Sequence, residues 1–410
     1  MGEHFDVVVI GGGIGGAALA TSLARAGLSL LVLEKSTVYR DHVRGEWMAP
    51  WGVVELKALG LYEAVRAAGG HHLARHQPSG PDVTAEMAAA MTLDLTSLLP
   101  GIPGPLCYGH PALCQLLIDE AARAGAVVRR GASDARAAID GTPAVQYVHD
   151  GQIRHATCRL IVGADGRGST VRRQVGLELH RDPTHHLFAG MLVEGADGWP
   201  DEVQTIGSED DVHFLVFPQG GGRLRLYLGY ASAQAQRLAG ARAPQAFLDA
   251  FRVRCLAGSE HIANARPAGP CHSYPNEDTW TDAVARPGVV LIGDAAGSND
   301  PIIGQGLSIT LRDVRQVRDA LLDARDWTPA IFDAYAAERR ERMRRLRFAA
   351  ALMATLHNEF GPEAEARRRR AHERQMQDPT LVLPLLATLV GPDNVPVEAF
   401  EDATRERLFA

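Results

Sequence analysis

The stretch Gly288-Val289-Val290-Leu291-Ile292-Gly293-Asp294-Ala295-Ala296, followed by Pro301-Ile302-Ile303-Gly304-Gln305-Gly306 and a helical run, decides how the rest of the chain is read. An uninterrupted apolar strand is one buried on both faces, and this one ends in a turn that delivers a single carboxylate, Asp294, to its carboxyl end. The glycines flanking Gln305 let the second loop bring backbone N–H groups close to a bound molecule. Because the residues from Leu307 onward read as a helix, those amides sit at a helix N-terminus, where unpaired N–H groups and the dipole favour a negative partner. The carboxylate suits a sugar-alcohol chain, and an anionic reduced flavin suits the amides.

Working outward, Phe5–Ile10 is a strand apolar on both faces, and Gly11-Gly12-Gly13-Ile14-Gly15-Gly16 leads from it into the Ala/Leu-rich helix 17–26. This is G-x-G-x-x-G in its required setting, strand before and helix after. A second strand, 28–33, ends in Glu34, about 20 residues past the glycines, where a carboxylate accepts from adenosine ribose hydroxyls. Lys35 follows it. Arg44, just beyond, has the planar fork that suits a pyrophosphate. Trp47 and Trp51 read equally as pocket walls or as packing. The third signature is Leu160-Ile161-Val162-Gly163-Ala164-Asp165-Gly166-Arg167, again an apolar strand stopping at a Gly/Asp turn before a helix start. Tyr108-Gly109-His110-Pro111 opens an amphipathic helix with Leu113, Leu116, Leu117 and Ala121 at three-to-four spacing.

Between these signatures the pattern changes. Residues 70–105 are rich in Gly, Pro and His and read as an excursion into a second domain, with a strand expected over Met87–Leu95. Leu187–Val193, Val212–Phe217 and Arg223–Tyr230 read as strands; in the last, Leu224, Leu226 and Leu228 alternate with Arg225, Tyr227 and Gly229, which predicts an antiparallel sheet with one covered face. The tail is helical, and its arginine runs at 339–347 and 367–370 are expected on solvated faces paired with Glu. The expected organisation is an α/β protein: a Rossmann-like dinucleotide domain over 1–182 and 271–330, an inserted antiparallel-sheet substrate domain over 183–270, and a helical C-terminal region over 331–410.

Length, at 410 residues, exceeds a usual single core. A formal net charge of −7 leaves no basic balance to neutralise phosphates, so nucleic acid is not an expected partner. The five cysteines are scattered without a C-x-x-C pair, which suggests neither a disulfide framework nor a metal site. No window reaches the roughly 18 apolar residues of a membrane span, and no signal-peptide h-region is evident; a cytoplasmic protein, monomeric or homodimeric, is expected.

The three signatures, in this order and at these separations over about residues 5–330, resemble the group A flavin-dependent monooxygenases, the para-hydroxybenzoate hydroxylase-like family. The resemblance implies an FAD-binding fold of the glutathione reductase type and non-covalent FAD. It further implies reduction by NADH or NADPH, and oxygen transfer from O2 through a flavin C4a-hydroperoxide to an activated small molecule, aromatic or polyketide-like. Carried onto this chain, Gly11, Gly13, Ile14, Gly15, Gly16, Glu34 and Lys35 would hold the adenosine half, and Arg44 and Asp165 the ribose and pyrophosphate region. Asp294 would bind the ribityl chain, and Pro301, Gly304, Gln305 and Gly306 would border the ring. His110 stands where the family often has Arg or Gln, and Gly297 where it often has His. Protein chemistry in such enzymes is slight, and His213, Tyr227 and Tyr230 are the candidates for a base toward a phenol. A reductase or dehydrogenase of the same fold is the alternative. A flavin halogenase is disfavoured, because the only lysines are Lys35 and Lys57 and no W-x-W-x-I-P stretch follows Trp199.

Overall fold

Strand Glu3–Ile10 is the centre of the first sheet because every residue from Val7 to Val9 is wholly buried between two layers of helix. The computed structural model describes residues 3–410, and in it Glu3–Ile10 pairs in parallel with Gln152–Gly163 on one side and with Leu30–Glu34 on the other. Val289–Leu291 extends the parallel order beyond the first neighbour and Val127–Arg130 beyond the second. Parallel order carries the argument for a site: Gly11, Glu34, Asp165 and Asp294 all leave the sheet at the same edge, the carboxyl ends of its strands, where α/β proteins bind ligands. Helices Ile14–Arg25, His110–Arg123 and Gly306–Asp323 pack on the faces. Ser133–Ala138 and Ala144–His149 add an antiparallel ribbon on Gln152–Gly163 that periodicity did not reveal.

The second sheet runs Arg266–Pro267, His186–Glu194, Arg223–Ala231, Val212–Gly220, Val203–Glu209, Arg75–Ser79, Leu93–Asp94, with His272–Asn276 also paired on His186–Glu194. Arg75–Ser79 lies parallel to Val203–Glu209, so the segment after Gly70 does join this sheet. The strand expected over Met87–Leu95 is instead helix Ala85–Ala90 followed by the two-residue strand Leu93–Asp94. The Thr84 side chain accepts from Met87 N at 3.2 Å, and a capped run of alanines and methionine prefers the helix.

One covered face was the wrong inference for Arg223–Ala231: both faces are buried. Leu224, Leu226 and Leu228 pack with Phe247 and Phe251 on the outer side. The opposite side, carrying Arg225 and Tyr227, faces the first domain and helix Asp333–His357. Alternation therefore marked two different coverings, one apolar and one mixed. Arg225, 1% exposed, donates from Nη2 to Asp41 (2.7 Å) and Glu46 (2.6 Å), tying the 41–46 loop to the sheet.

The arginines of helix Asp333–His357 also divide. Arg344 and Arg345 pair with Glu341 on the outside, but Arg339 and Arg342 are buried against Asp313, itself unexposed. Asp313 Oδ2 accepts from Arg339 Nε (3.0 Å) and from Gly293 N (2.8 Å), and Oδ1 accepts from Arg342 Nη2 (2.7 Å). Arg339 then donates to the carbonyls of Ala296 and Gly297 at 3.1 and 2.9 Å. Burial alone would raise the Asp313 pKa, yet the two guanidiniums hold it below the ordinary carboxylate value. Removing the charge would leave buried Arg339 without a carboxylate partner, while Arg342 keeps Glu338, and breaking such a buried pair costs about 3–5 kcal/mol. Asp313→Asn should lower the stability of the FAD-free protein by that amount in denaturant unfolding; a change under about 1 kcal/mol would show that the cluster is not what holds the Gly293–Gly297 turn.

Candidate active site

The glycine fingerprint is dictated by close approaches. Gly11, at φ +107°, lies so near the next crossover that a Cβ would stand 2.3 Å from the Ala164 carbonyl, and a Cβ on Gly16 would stand 1.9 Å from the Gly11 carbonyl. These two positions seat helix Ile14–Arg25 hard against the strand ends. Gly13, the residue before that helix, faces open space. The first-turn N–H groups there have no partner inside the helix, as at any helix start. Glu34 closes the far side: it is 7% exposed and accepts from Gly12 N and Ser36 N, each at 2.7 Å. One carboxylate therefore shapes the glycine loop and still has lone pairs free to accept from a ligand hydroxyl. Lys35 is exposed just beyond it.

On the opposite edge, Asp294 is half-buried at the start of the Gly293–Ala296 turn and is met by Arg167 Nε at 3.3 Å. The turn's backbone is held from behind by Arg339 and by Arg172, whose Nη1 donates to Ala295 O at 2.9 Å. Pro301–Ile303 forms a short helical turn, Gly304 follows at φ +64°, and Gly306 begins helix Gly306–Asp323 with nothing within 4 Å of where its side chain would be. Open amides at a helix start are thus present at two points of one crevice, about Gly13 and about Gly306. Arg44 is exposed at the same crevice, its guanidinium 5.9 Å over the Tyr274 ring, and His110 is half-buried, its pKa lowered by burial.

Three expected contacts are placed differently. Asp165 turns into its own loop: its carboxylate accepts from Ser169 Oγ (2.5 Å), Thr170 N (2.6 Å), Thr170 Oγ1 (2.9 Å) and Val171 N (3.1 Å), so it caps the following helix and leaves little for a ligand. The Gln305 side chain is fully engaged inside the protein, accepting from Trp51 Nε1 (2.7 Å) and donating to Thr388 O (3.0 Å); only its backbone remains for the crevice. Tyr230 lies on the outer face of the second sheet, its hydroxyl donating to Ser273 Oγ at 3.0 Å. Parity along the strand puts Tyr227 and Tyr230 on opposite faces.

His213 and Tyr227 do occupy the inner face, the roof over the crevice. Tyr227 sits with Phe217, Leu215, Phe188 and Tyr274 above Ile302 and Ile303 of the second loop. Trp47 joins them, 5.7 Å from Phe217, with its Nε1 donating to Gln204 Oε1 at 2.8 Å. The polar partners Arg167, Asp313 and Arg339 carried no separate sequence signal, although Arg167 stands inside the third signature.

The donor set fits FAD: a carboxylate at the second strand's end, two open helix starts, an arginine beside the crevice, a half-buried carboxylate at the fourth strand's end and an apolar roof. Residues 4–350 match the family described as FAD binding domain, and the chain belongs to it. Menaquinone reductase of Mycobacterium tuberculosis is 27% identical over 357 residues, covering 81% of each chain. The 6-methylpretetramide 4-monooxygenase of Streptomyces rimosus is 26% identical over 388 residues, covering 83% of this chain and 81% of that one. The fold matches that of p-nitrophenol 4-monooxygenase from Pseudomonas putida DLL-E4 with a TM-score of 0.76 at 19% identity, over 100% and 99% of the two chains.

Loss of the Glu34 carboxylate removes the clasp on Gly12 and, on the expected pose, the acceptor for the ribose. Glu34→Ala should therefore weaken FAD binding by at least the roughly 1.5–3 kcal/mol of a hydrogen bond to a charged group, read by fluorescence titration of the apoprotein. Asp294→Ala should likewise give folded protein largely free of FAD, and full retention of FAD in that variant would remove Asp294 from the site.

Proposed function

We propose that this chain is an FAD-dependent monooxygenase that uses NADH or NADPH and O2 to place one oxygen atom on a small aromatic or polyketide-like substrate. The observation that carries the reading is the joining of two features in one cleft: the FAD-fitting crevice and an aromatic roof from the second sheet, with Tyr227, Phe217, Trp47 and Phe188 facing Ile302 and Ile303. Bound FAD supplies the redox chemistry between nicotinamide and oxygen; the protein's tasks are to orient and to keep the reacting space dry. The backbone about Gly306, at the start of an 18-residue helix, favours negative charge on the ring edge next to it. Arg44 and Arg167 supply positive charge at the mouth for an anionic nicotinamide cofactor that visits and leaves. The apolar roof would keep water away from the reacting face of the bound cofactor.

A reductase reading has its own support in the menaquinone reductase relative. The two differ in where electrons end. In the monooxygenase reading the product formed under labelled oxygen gas carries one labelled atom, and turnover stops without oxygen. Product formed at full rate under strict anaerobiosis would establish the reductase in its place.

A further inference from the structure

A cavity of about 560 Å³ opens beside Asp300, between helix Asp333–His357, the turn at Phe400–Asp402 and the segments about Asp182 and Asp278. None of the residues placed above at the crevice lines it. Its size is that of a small-molecule pocket. At its mouth the charges are matched or solvated: Arg344 pairs with Glu341 at 2.8 Å and Arg405 with Asp402 at 2.9 Å, while His185 and Glu401 are exposed.

The inner end is different. Asp300 is 4% exposed, and Asp182 and Asp278 are half-buried. The Asp182 N–H donates to the Asp278 carbonyl at 3.0 Å, and Asp278 Oδ1 accepts from Asn299 Nδ2 at 2.5 Å and from Asp300 N at 2.9 Å, so the backbone gathers three acids at one place. Among the described residues no lysine or arginine nitrogen lies within 4 Å of these three carboxylates. The His186 imidazole, 3.7 Å from Asp300, is held neutral by burial, its pKa pushed down to about 4. Burial raises the Asp278 pKa, with Asp182 adding to it and Arg347 opposing. Burial, with Asp278 beside it, lifts Asp300 to about 7 although Arg167 pulls the other way. Arg347 is the cation that faces this end of the cavity, and it is itself unpaired. Its guanidinium lies 4.7 Å over the Trp280 ring, Nε is buried without a partner, and among the described residues the side chain makes no hydrogen bond or ion pair.

We propose that this cavity is a binding site for a small organic amine, its ammonium set among Asp182, Asp278 and Asp300, an oxygen of the same molecule accepting from Arg347, and its apolar body against Phe348, Ala350, Ala354 and Phe400. The proposal does not depend on the monooxygenase reading. Three carboxylates against one guanidinium leave the inner end with an excess of negative charge, and an ammonium carries three donors to meet it. Burying acids without a cation is costly, and an ammonium ligand removes that cost. A carboxylate ligand would gain Arg347 but enter beside three acids. A bare metal ion is not served by the site: among the described residues no group of three His, Cys, Asp or Glu side chains is placed to hold one, and an ion would leave the apolar wall unused. Phe348 and Phe400, edge to face at 6.1 Å between centroids, give that wall a rigid surface for a ring or chain.

The test is isothermal titration of the FAD-loaded full chain with trans-4-aminocyclohexanol and with trans-4-hydroxycyclohexanecarboxylate, two probes of similar shape and opposite charge. The amine should bind at least tenfold more tightly than the carboxylate. Asp182→Asn removes one acid whose carboxylate makes no hydrogen bond among the described residues, so the unliganded variant should melt as the parent does while its affinity for the amine falls tenfold or more. Ala351→Trp fills the cavity from the exposed side of helix Asp333–His357 and should abolish amine binding. FAD content, measured on the same samples, should be unchanged in both variants, which separates this site from the crevice. No binding of the amine, equal or tighter binding of the carboxylate, or unchanged amine affinity in both variants overturns the proposal.

Discussion

Asp313, a carboxylate with no exposed surface, is the pivot of the molecule, because it bonds three elements at once. It stands on helix Gly306–Asp323, whose first turn opens on the crevice, and it grips Gly293 N in the turn that presents Asp294. Through Arg339 and Arg342 it fastens the long C-terminal helix to both. Buried ion clusters are weak contributors to stability in general, since desolvation offsets most of the attraction. Their use here is geometric: a turn of Gly, Asp and three small residues has no side chains of its own to hold it, and the guanidinium of Arg339 supplies three of its carbonyls with donors. The position of the Asp294 carboxylate is therefore set from behind.

The same logic of one rigid frame and one adaptable lining separates the two sheets. In the first, parallel strands converge glycines and carboxylates on a single edge, and close approaches at Gly11 and Gly16 leave no freedom for substitution. In the second, the outer face is an ordinary apolar core, while the inner face mixes aromatics with buried imidazoles and carboxamides. Arg225, bonded to Asp41 and Glu46, locks the two together beside Trp47. Burial lifts the Glu46 carboxyl to about 7 against the pull of Arg225, a sign of how dry that junction is. Ligand recognition can vary on this face without disturbing the frame that holds the cofactor.

The frame was largely legible in the sequence, because its features are local: a both-faces-apolar strand, a turn of glycine and acid, a helix start. Glu34 and the open Gly304–Gly306 turn follow from spacing alone. What escaped was set by tertiary partners. Asp165 reads as a ligand residue until the hydroxyls and amides of Ser169, Thr170 and Val171 are seen to claim it. Gln305 lies between two telling glycines, yet its carboxamide answers to Trp51 and Thr388, distant in sequence. Arg339 and Arg342 sit within a run of arginines that looks solvated, and only Asp313 distinguishes them. Val203–Glu209 was missed as a strand because Gln204, Thr205, Gly207 and Ser208 break the apolar pattern on both of its faces; Gln204 bonds Trp47, Thr205 bonds Gln77 and Gly207 packs against Phe214, all distant in sequence or on another strand.

The central claim is that four strand ends build one site for a flavin joined to an adenosine, with Glu34 and the Gly11–Gly16 turn serving the adenosine half. Titrating the apoprotein with FAD and with FMN, each followed by quenching of flavin fluorescence, separates the halves directly. FAD should bind at least a hundredfold more tightly than FMN, because the contacts about Glu34 and Gly13 are unused by the mononucleotide, a difference of about 2.7 kcal/mol. Equal affinities would contradict the account, for they would mean that the fingerprint strand, turn and helix fold as described yet hold no nucleotide.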